Sequence, residues 1–306
     1  MLATSRVREI VGRPEQPTLD ENCRHLLSTK GKQVRATLLL EAARLGAGVD
    51  EEKAELAATV VEVVHLATLA HDDVIDDCQV RRGSPTVGAR AGNVAAGITG
   101  AWLFARALEL IAECGDRATE RFAEAAKHIV DGEILEIKDL HNVDRTRERY
   151  LRSIDGKTAE LFALSAHLGA LLGGCSDEVV SAMEAYGRAL GMAFQINDDL
   201  LDLLSVSAVM KKPTGKDLLQ GVYTLPVIYA IAESDELRGQ LLAGVTEANI
   251  RSVTQLVKST SGVAMAEAEC GEHFRAAEEA LATVDEARVF HDLLHRSVPA
   301  MRQEAR

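Results

Sequence analysis

Proline is scarce in this chain. Only six of the 306 residues are proline, and none lies between Pro85 and Pro213, so the strongest helix breaker is missing from the middle of the sequence. Aromatic residues are few too, with one Trp, four Tyr and six Phe. Basic charge is in deficit: 34 Lys and Arg stand against 47 Asp and Glu, a net charge of −13. Without a basic excess or clustered rings, no nucleic-acid partner is expected. The cysteines, Cys23, Cys78, Cys114, Cys175 and Cys270, are odd in number, widely spaced and contain no CxxC pair. That excludes a disulfide framework and a zinc site, and they read as small buried residues. Long apolar runs are missing as well. The longest, Leu161 to Gly174, is interrupted by Ser165 and His167 and falls short of the ~18 to 20 residues that span a bilayer, so no membrane span is expected. Met1 to Arg13 carries Arg6, Arg8 and Glu9 in place of a signal-peptide core, and a cytoplasmic location follows as the expectation.

What remains is 47% hydrophobic sequence arranged with helical spacing. Asp50 is placed to cap a helix whose run Val60, Val61, Val63, Val64, Leu66, Leu69, Val74 and Ile75 is apolar around most of its circumference, as in the interior of a bundle. Further helices are predicted over about 33–47, 93–114, 117–139, 145–174, 177–205, 222–233 and, with breaks, 246–303. No strand pattern competes, and no linker or repeat divides the chain. The prediction is an all-α protein, one domain over 1–306.

Two acidic clusters stand out. In His71-Asp72-Asp73-Val74-Ile75-Asp76-Asp77, Asp72 and Asp76 share a helix face, and like charges at that spacing repel. Asn197-Asp198-Asp199-Leu200-Leu201-Asp202 repeats the arrangement with Asp198 and Asp202. One such cluster reads as a solvated helix end. Two, each continuing an apolar helix and each followed by a basic glycine-containing segment (Arg81-Arg82-Gly83-Ser84-Pro85-Thr86 and Lys211-Lys212-Pro213-Thr214-Gly215-Lys216-Asp217), read as oxygen cradles for a hard divalent cation. Magnesium usually completes its shell with water and substrate phosphate, so a phosphorylated substrate is implied.

These residues resemble the trans-isoprenyl diphosphate synthases of the polyprenyl synthetase type. The resemblance runs from about Lys30 to Ala230. It is carried by Gly31-Lys32-Gln33-Val34-Arg35, by His65 through Asp77, by the segment from Arg81 to Thr86, by Gly156-Lys157-Thr158, by Phe194 through Asp202, and by Lys212-Pro213-Thr214-Gly215-Lys216-Asp217-Leu218. It implies a single large helical bundle of the isoprenoid synthase type with a central substrate cavity. The implied reaction is a magnesium-dependent head-to-tail condensation of isopentenyl diphosphate with an allylic prenyl diphosphate. By the same resemblance Asp72, Asp76, Asp198 and Asp202 hold up to three magnesium ions, with Asp73 and Asp199 supporting them. Arg81, Lys157 and Lys212 neutralise the allylic diphosphate. Lys32, Arg35, His65 and Arg82 hold isopentenyl diphosphate, and Thr158 and Gln195 turn oxygens to the developing carbocation. A homodimer is expected.

The pattern departs from the family in three places. Lys30 and Ala36 replace a glycine and a proline around the first basic motif, and Val222 stands where a lysine is usual, removing one cation from the allylic side. Product length is read from Ala67 and Thr68, about one helical turn before Asp72. In the family, aromatic residues there accompany fifteen- or twenty-carbon products. These small residues therefore imply products beyond twenty carbons, with Trp102 either a deeper floor or an interhelical packing residue. The alternatives weighed are a short-chain farnesyl or geranylgeranyl diphosphate synthase, a non-catalytic partner subunit, and a class I terpene cyclase, whose second acidic motif differs from Asp198-Asp199-Leu200-Leu201-Asp202.

Overall fold

The computed structural model describes residues 4–12, 14–28, 31–204 and 215–299. Helices account for nearly all regular structure there: α1 (Thr4–Val11), α2 (Pro17–Ser28), α3 (Val34–Ala43), α4 (Glu51–Ile75), α5 (Val87–Ala91), α6 (Asn93–Ala112), α7 (Asp116–Lys138), α8 (Arg147–Ile154), α9 (Glu160–Leu172), α10 (Asp177–Leu204), α11 (Lys216–Gln220), α12 (Leu225–Glu233), α13 (Asp235–Ala243), α14 (Ile250–Lys258), α15 (Gly262–Ala280) and α16 (Arg288–Ser297). The all-α expectation holds. The strands among the described residues are β1 (Val80–Arg81) and β2 (Ser84–Pro85), an antiparallel pair. Arg82 and Gly83 both have positive φ, 52° and 80°, the turn that matches strand twist in a two-residue hairpin. The helix expected over 145–174 is interrupted by a π turn at Asp155–Ala159.

The chain forms two compact units, Met1–Glu124 with Leu164–Glu184, and Ala125–Ala163 with Ala185–Arg306. In the first, α4 packs against α3 and α6. Asp50 caps α4, accepting from the Lys53 amide at 3.1 Å, and Val60, Val61, Val63, Val64 and Ala67 have almost no accessible surface. Gly100 lets α6 close on α4, since a Cβ there would lie 2.4 Å from His71 Nε2 and 3.0 Å from the Ala67 carbonyl oxygen. Off this core, Arg121 and His167 reach Glu184 at 2.9 and 2.6 Å, and that hydrogen bond and the neighbouring charges outweigh burial to hold the carboxyl at about 2. By length and composition α4 and α6 could each cross a membrane, against the expectation of no such stretch, but 67% of the apolar window of α4 is buried within the fold. The corresponding window of α6 is 39% buried, and Val94, Ile98 and Leu108 are exposed along it at helical spacing.

In the second unit Leu203, Leu218, Tyr223, Val227, Leu237, Val253 and Val257 make an apolar cluster, and α12 packs on α15. The π turn lies directly on α7. A Cβ on Gly132 would sit 2.3 Å from the Lys157 amide nitrogen, and one on Gly156 would sit 2.5 Å from the His128 carbonyl oxygen. All five thiols are free. Cys23, Cys114 and Cys270 are buried, as expected, whereas Cys78 and Cys175 are half-buried.

Candidate functional site

Both acidic motifs occupy the carboxyl-terminal turns of long helices. Asp72 and Asp73 lie in the last turn of α4, whose final residue is Ile75, and the Asp76 amide still bonds to the Asp72 carbonyl at 2.8 Å, keeping the two carboxylates on one side. Asp198, Asp199 and Asp202 lie in the last two turns of α10, which ends at Leu204. Carboxylates there meet the negative end of the helix dipole as well as each other, and each such placement costs ~0.3–1 kcal/mol. A cation is the natural compensation.

In the first unit the hairpin folds back on the end of α4. Asp77 takes a positive φ of 48°, turning the chain, and Arg81 Nε donates to Asp73 Oδ1 at 2.6 Å. Burial opposes the Arg81 charge, but that hydrogen bond and the charges of Asp73 and Asp72 outweigh it and raise its pKa. Asp73 is buried and so anchors Arg81, while Asp72 and Asp76 are half-buried.

A second group of cations gathers one and two turns further back. The Arg82 guanidinium lies over Gly31, where a Cβ would come within 2.9 Å of it. Desolvation, then the charges of Arg35, Arg82 and Arg81, hold the His65 imidazole well below its ordinary pKa, so it is neutral at pH 7. Glu62, which sequence reading left without a role, is buried beside Arg35 and Arg82. Burial raises its pKa against the pull of both cations. Its Oε1 also accepts, at 3.4 Å, the N–H that Ala36 supplies where the family has proline. The structure thus brings Arg35, His65, Arg81 and Arg82 together. Lys32 sits exposed on the strand of chain between Gly31 and α3. Behind the acidic end of α4, Ala67 is wholly buried, whereas Thr68 is half-buried with its hydroxyl bonded to the His65 carbonyl at 2.9 Å.

In the second unit the π turn presents Lys157 and Thr158. Lys157 Nζ lies 2.9 Å from Glu133 Oε2 and 2.5 Å from Glu136 Oε1. Thr158 Oγ1 donates to Gln195 Oε1 at 2.7 Å, and Gln195 Nε2 donates to Asp199 Oδ1 at 2.7 Å. Asp198 is exposed and Asp202 half-buried, with Asp202 Oδ2 accepting from the Asp217 amide at 3.4 Å. Burial pushes the Asp199, Asp202 and Asp217 carboxyls upward, and Asp199, Asp202 and Glu136 all repel Asp217. Carboxylates outnumber cations here, an excess of negative charge that a divalent cation would offset. Lys212 lies outside the described residues, as does Lys30. Val222 is half-buried, its amide bonded to the Asp217 carbonyl at 2.8 Å.

Among the described residues no group of three or more His, Cys, Asp or Glu side chains could hold a metal ion alone. Paired carboxylates without a full cage suit magnesium, whose remaining positions go to water and substrate phosphate. Sequence reading missed Glu133, Glu136 and Tyr150. Each is defined by a distant side chain, Lys157 for Glu133 and Glu136 and Asp199 for Tyr150, and nothing local marks them.

The profile of the family described as Polyprenyl synthetase matches residues 16–260. A "Heptaprenyl diphosphate synthase component 2" of Geobacillus stearothermophilus is 42% identical over 254 residues, covering 81% of this chain and 78% of that protein. The crystal structure of a decaprenyl diphosphate synthase from Rhodobacter capsulatus superposes with a TM-score of 0.89 at 34% identity, over 97% of this chain and 94% of that one. A polyprenyl synthase from Caulobacter crescentus CB15, complexed with calcium and isoprenyl diphosphate, gives 0.88 at 31% identity, over 96% and 93% of the two chains.

Proposed function

The chain belongs to the polyprenyl synthetase family, and from that premise we propose how its residues carry out the reaction. It is a trans-prenyltransferase that condenses isopentenyl diphosphate with an allylic prenyl diphosphate and elongates the product beyond twenty carbons. The allylic C–O bond breaks with its electron pair leaving on the diphosphate, and the double bond of isopentenyl diphosphate attacks the resulting cation to form the new C–C bond. The proton then lost from the isopentenyl unit passes to the departed diphosphate, so no side-chain base is needed. Breaking that C–O bond demands stabilisation of the leaving anion in a site that excludes water.

Asp72 and Asp76, and likewise Asp198 and Asp202, are the magnesium ligands, with up to three ions bound. When bound, the metal neutralises the leaving diphosphate. Arg81, Lys157 and Lys212 add fixed positive charge to that group. Asp73 keeps Arg81 in place, and Glu133 and Glu136 keep Lys157 in place. Lys32, Arg35 and Arg82 take the diphosphate of isopentenyl diphosphate. His65, being neutral, contributes a hydrogen bond and no charge. Thr158 and Gln195 face the reacting allylic carbon. The observation that carries this reading is the pair of aspartate clusters at the dipole-negative ends of α4 and α10, which is costly without a cation.

The protein acts in the cytoplasm as a homodimer, the exposed stripe of Val94, Ile98 and Leu108 on α6 being suited to a second copy. A second reading, elongation only beside a different subunit, draws on the relative named as component 2. Asp72→Ala and Asp198→Ala test the assignment. Each is expected to retain the wild-type melting temperature and lose at least about a thousandfold in turnover, as when transition-state charge stabilisation is removed. Near-normal turnover in either variant overturns the metal assignment.

A further inference from the structure

Three hydrogen bonds in the second unit form one network that ends on Asp199 from both sides. Tyr150 Oη donates to Asp199 Oδ2, Gln195 Nε2 donates to Asp199 Oδ1, and Thr158 Oγ1 donates to Gln195 Oε1, each at 2.7 Å. Tyr150, Asp199 and Thr158 are 1%, 5% and 6% exposed, so water does not compete for these groups. The Arg145 guanidinium carbon lies 5.3 Å from the Tyr150 ring centroid and further fixes the ring.

The direction follows from donor and acceptor chemistry. Where Asp199 is ionised, both of its oxygens accept, and Gln195 turns its NH2 toward the carboxylate. The reverse amide orientation would set carbonyl oxygen against carboxyl oxygen. With its NH2 committed, Gln195 shows its carbonyl to Thr158. The single Thr158 hydroxyl proton is then spent on that carbonyl, and only lone pairs remain on the other side of the oxygen. An oxygen restricted to accepting suits an electron-deficient carbon, and a freely rotating hydroxyl could equally point its proton there.

We propose that Tyr150 and Asp199 are positioning residues which, acting through Gln195, hold Thr158 as an acceptor-only oxygen toward the allylic carbon as positive charge develops on it. This rests on the reading above that Thr158 faces that carbon. Tyr150 touches neither substrate. Its contribution is to occupy Asp199 Oδ2 and lock the carboxyl rotation that orients Gln195. The arrangement resists thermal reorientation because Tyr150, Asp199 and Thr158 are buried and each bond sets the next.

Tyr150→Phe removes the first donor and leaves the ring. The expected result is a fall in kcat of about tenfold, with KM for both diphosphates within about twofold of wild type. A purely structural tyrosine would show its loss in the melting temperature and not as this kcat-against-KM split. The deciding comparison is the double variant. If Tyr150 acts through Gln195, Tyr150→Phe placed in Gln195→Ala causes no further loss, whereas independent roles multiply the two losses. Asp199→Asn, whose amide can no longer accept on both sides, serves as a second probe should Tyr150→Phe fold poorly, with the same non-multiplying behaviour expected against Gln195→Ala. Unchanged kcat in Tyr150→Phe, or multiplied losses in either double variant, overturns the proposal. Failure of the reading beneath it looks different, because Thr158→Val would then leave kcat near wild type.

Discussion

The length of the product should respond to a single residue one turn behind the first aspartate motif. Helical rise places Thr68 roughly 6 Å, Ala67 roughly 7.5 Å and Val64 roughly 12 Å behind Asp72 along α4, and one turn, about 5.4 Å, is close to the length of an isoprene unit. A growing chain that runs along this helix passes Thr68 within its first added units. Thr68 is half-buried, and its hydroxyl bonds locally to the His65 carbonyl. Thr68→Phe should therefore keep the fold and cut the product from beyond twenty carbons to fifteen or twenty. Ala67→Phe should also shorten the product, at a greater cost to stability. Ala67 has no accessible surface, and its carbonyl faces Gly100 of α6 so closely that a Cβ there would lie 3.0 Å away. Overpacking such a contact costs about 1–3 kcal/mol, and each kcal/mol lowers the melting temperature by roughly 2–4 °C. Chromatography of dephosphorylated products, beside thermal melts, separates the two effects. An unchanged product length in both well-folded variants would refute the reasoning and move the floor elsewhere, with Trp102 next to be replaced.

Three further outcomes follow from the same geometry. Lys157→Gln removes a charge-assisted contact with the allylic diphosphate and should lower kcat/KM for that substrate by about 10- to 100-fold, the equivalent of roughly 1.5–3 kcal/mol; steady-state kinetics with each substrate varied would expose an error if only the isopentenyl diphosphate KM moved. Gly132→Ala would drive a Cβ to 2.3 Å from the Lys157 amide, displacing the π turn. Lost turnover and a lower melting temperature are expected together, and a normal melt with normal turnover contradicts the close approach. His65 is held neutral in the fold, so below its unfolded pKa of about 6.5 the unfolded chain binds a proton that the native state does not. Stability should then fall as pH drops from 7 toward 5, and His65→Gln should flatten that slope; identical slopes in denaturant titrations of the two proteins would count against a neutral imidazole in the fold.

Much of the fold was legible because its signals are local. Asp50 caps α4 as its position before an apolar run suggests, and α10 spans Asp177–Leu204 against an expected 177–205. The acidic motifs and the basic segment after the first of them were visible as residue patterns. What escaped depends on distant contacts. The helix read across 145–174 gives way to a π turn because Gly132 and Gly156 bring two backbones together, and only Gly156 lies inside that window. The helix expected from 222 begins at Leu225, with Pro226 in its first turn, a cue the sequence did contain. The hairpin at Val80–Pro85 is too short for an alternating pattern, although Arg82-Gly83 is its turn. In the candidate site, the residues in charge motifs stand out in the sequence, while Tyr150, Glu62, Glu133 and Glu136 are defined by the side chains they meet. α1 and α2 went unread although Val7, Ile10 and Val11, and Leu19, Cys23, Leu26 and Leu27, recur at helical spacing.

The measurement that bears most directly on the central claim is elongation by the purified chain alone. The protein would be incubated with magnesium, labelled isopentenyl diphosphate and farnesyl or geranylgeranyl diphosphate, and its dephosphorylated products sized by chromatography, with a parallel reaction in chelator. A magnesium-dependent ladder that ends at one chain longer than twenty carbons is the predicted result. Folded protein that elongates neither primer, with magnesium present, would contradict it.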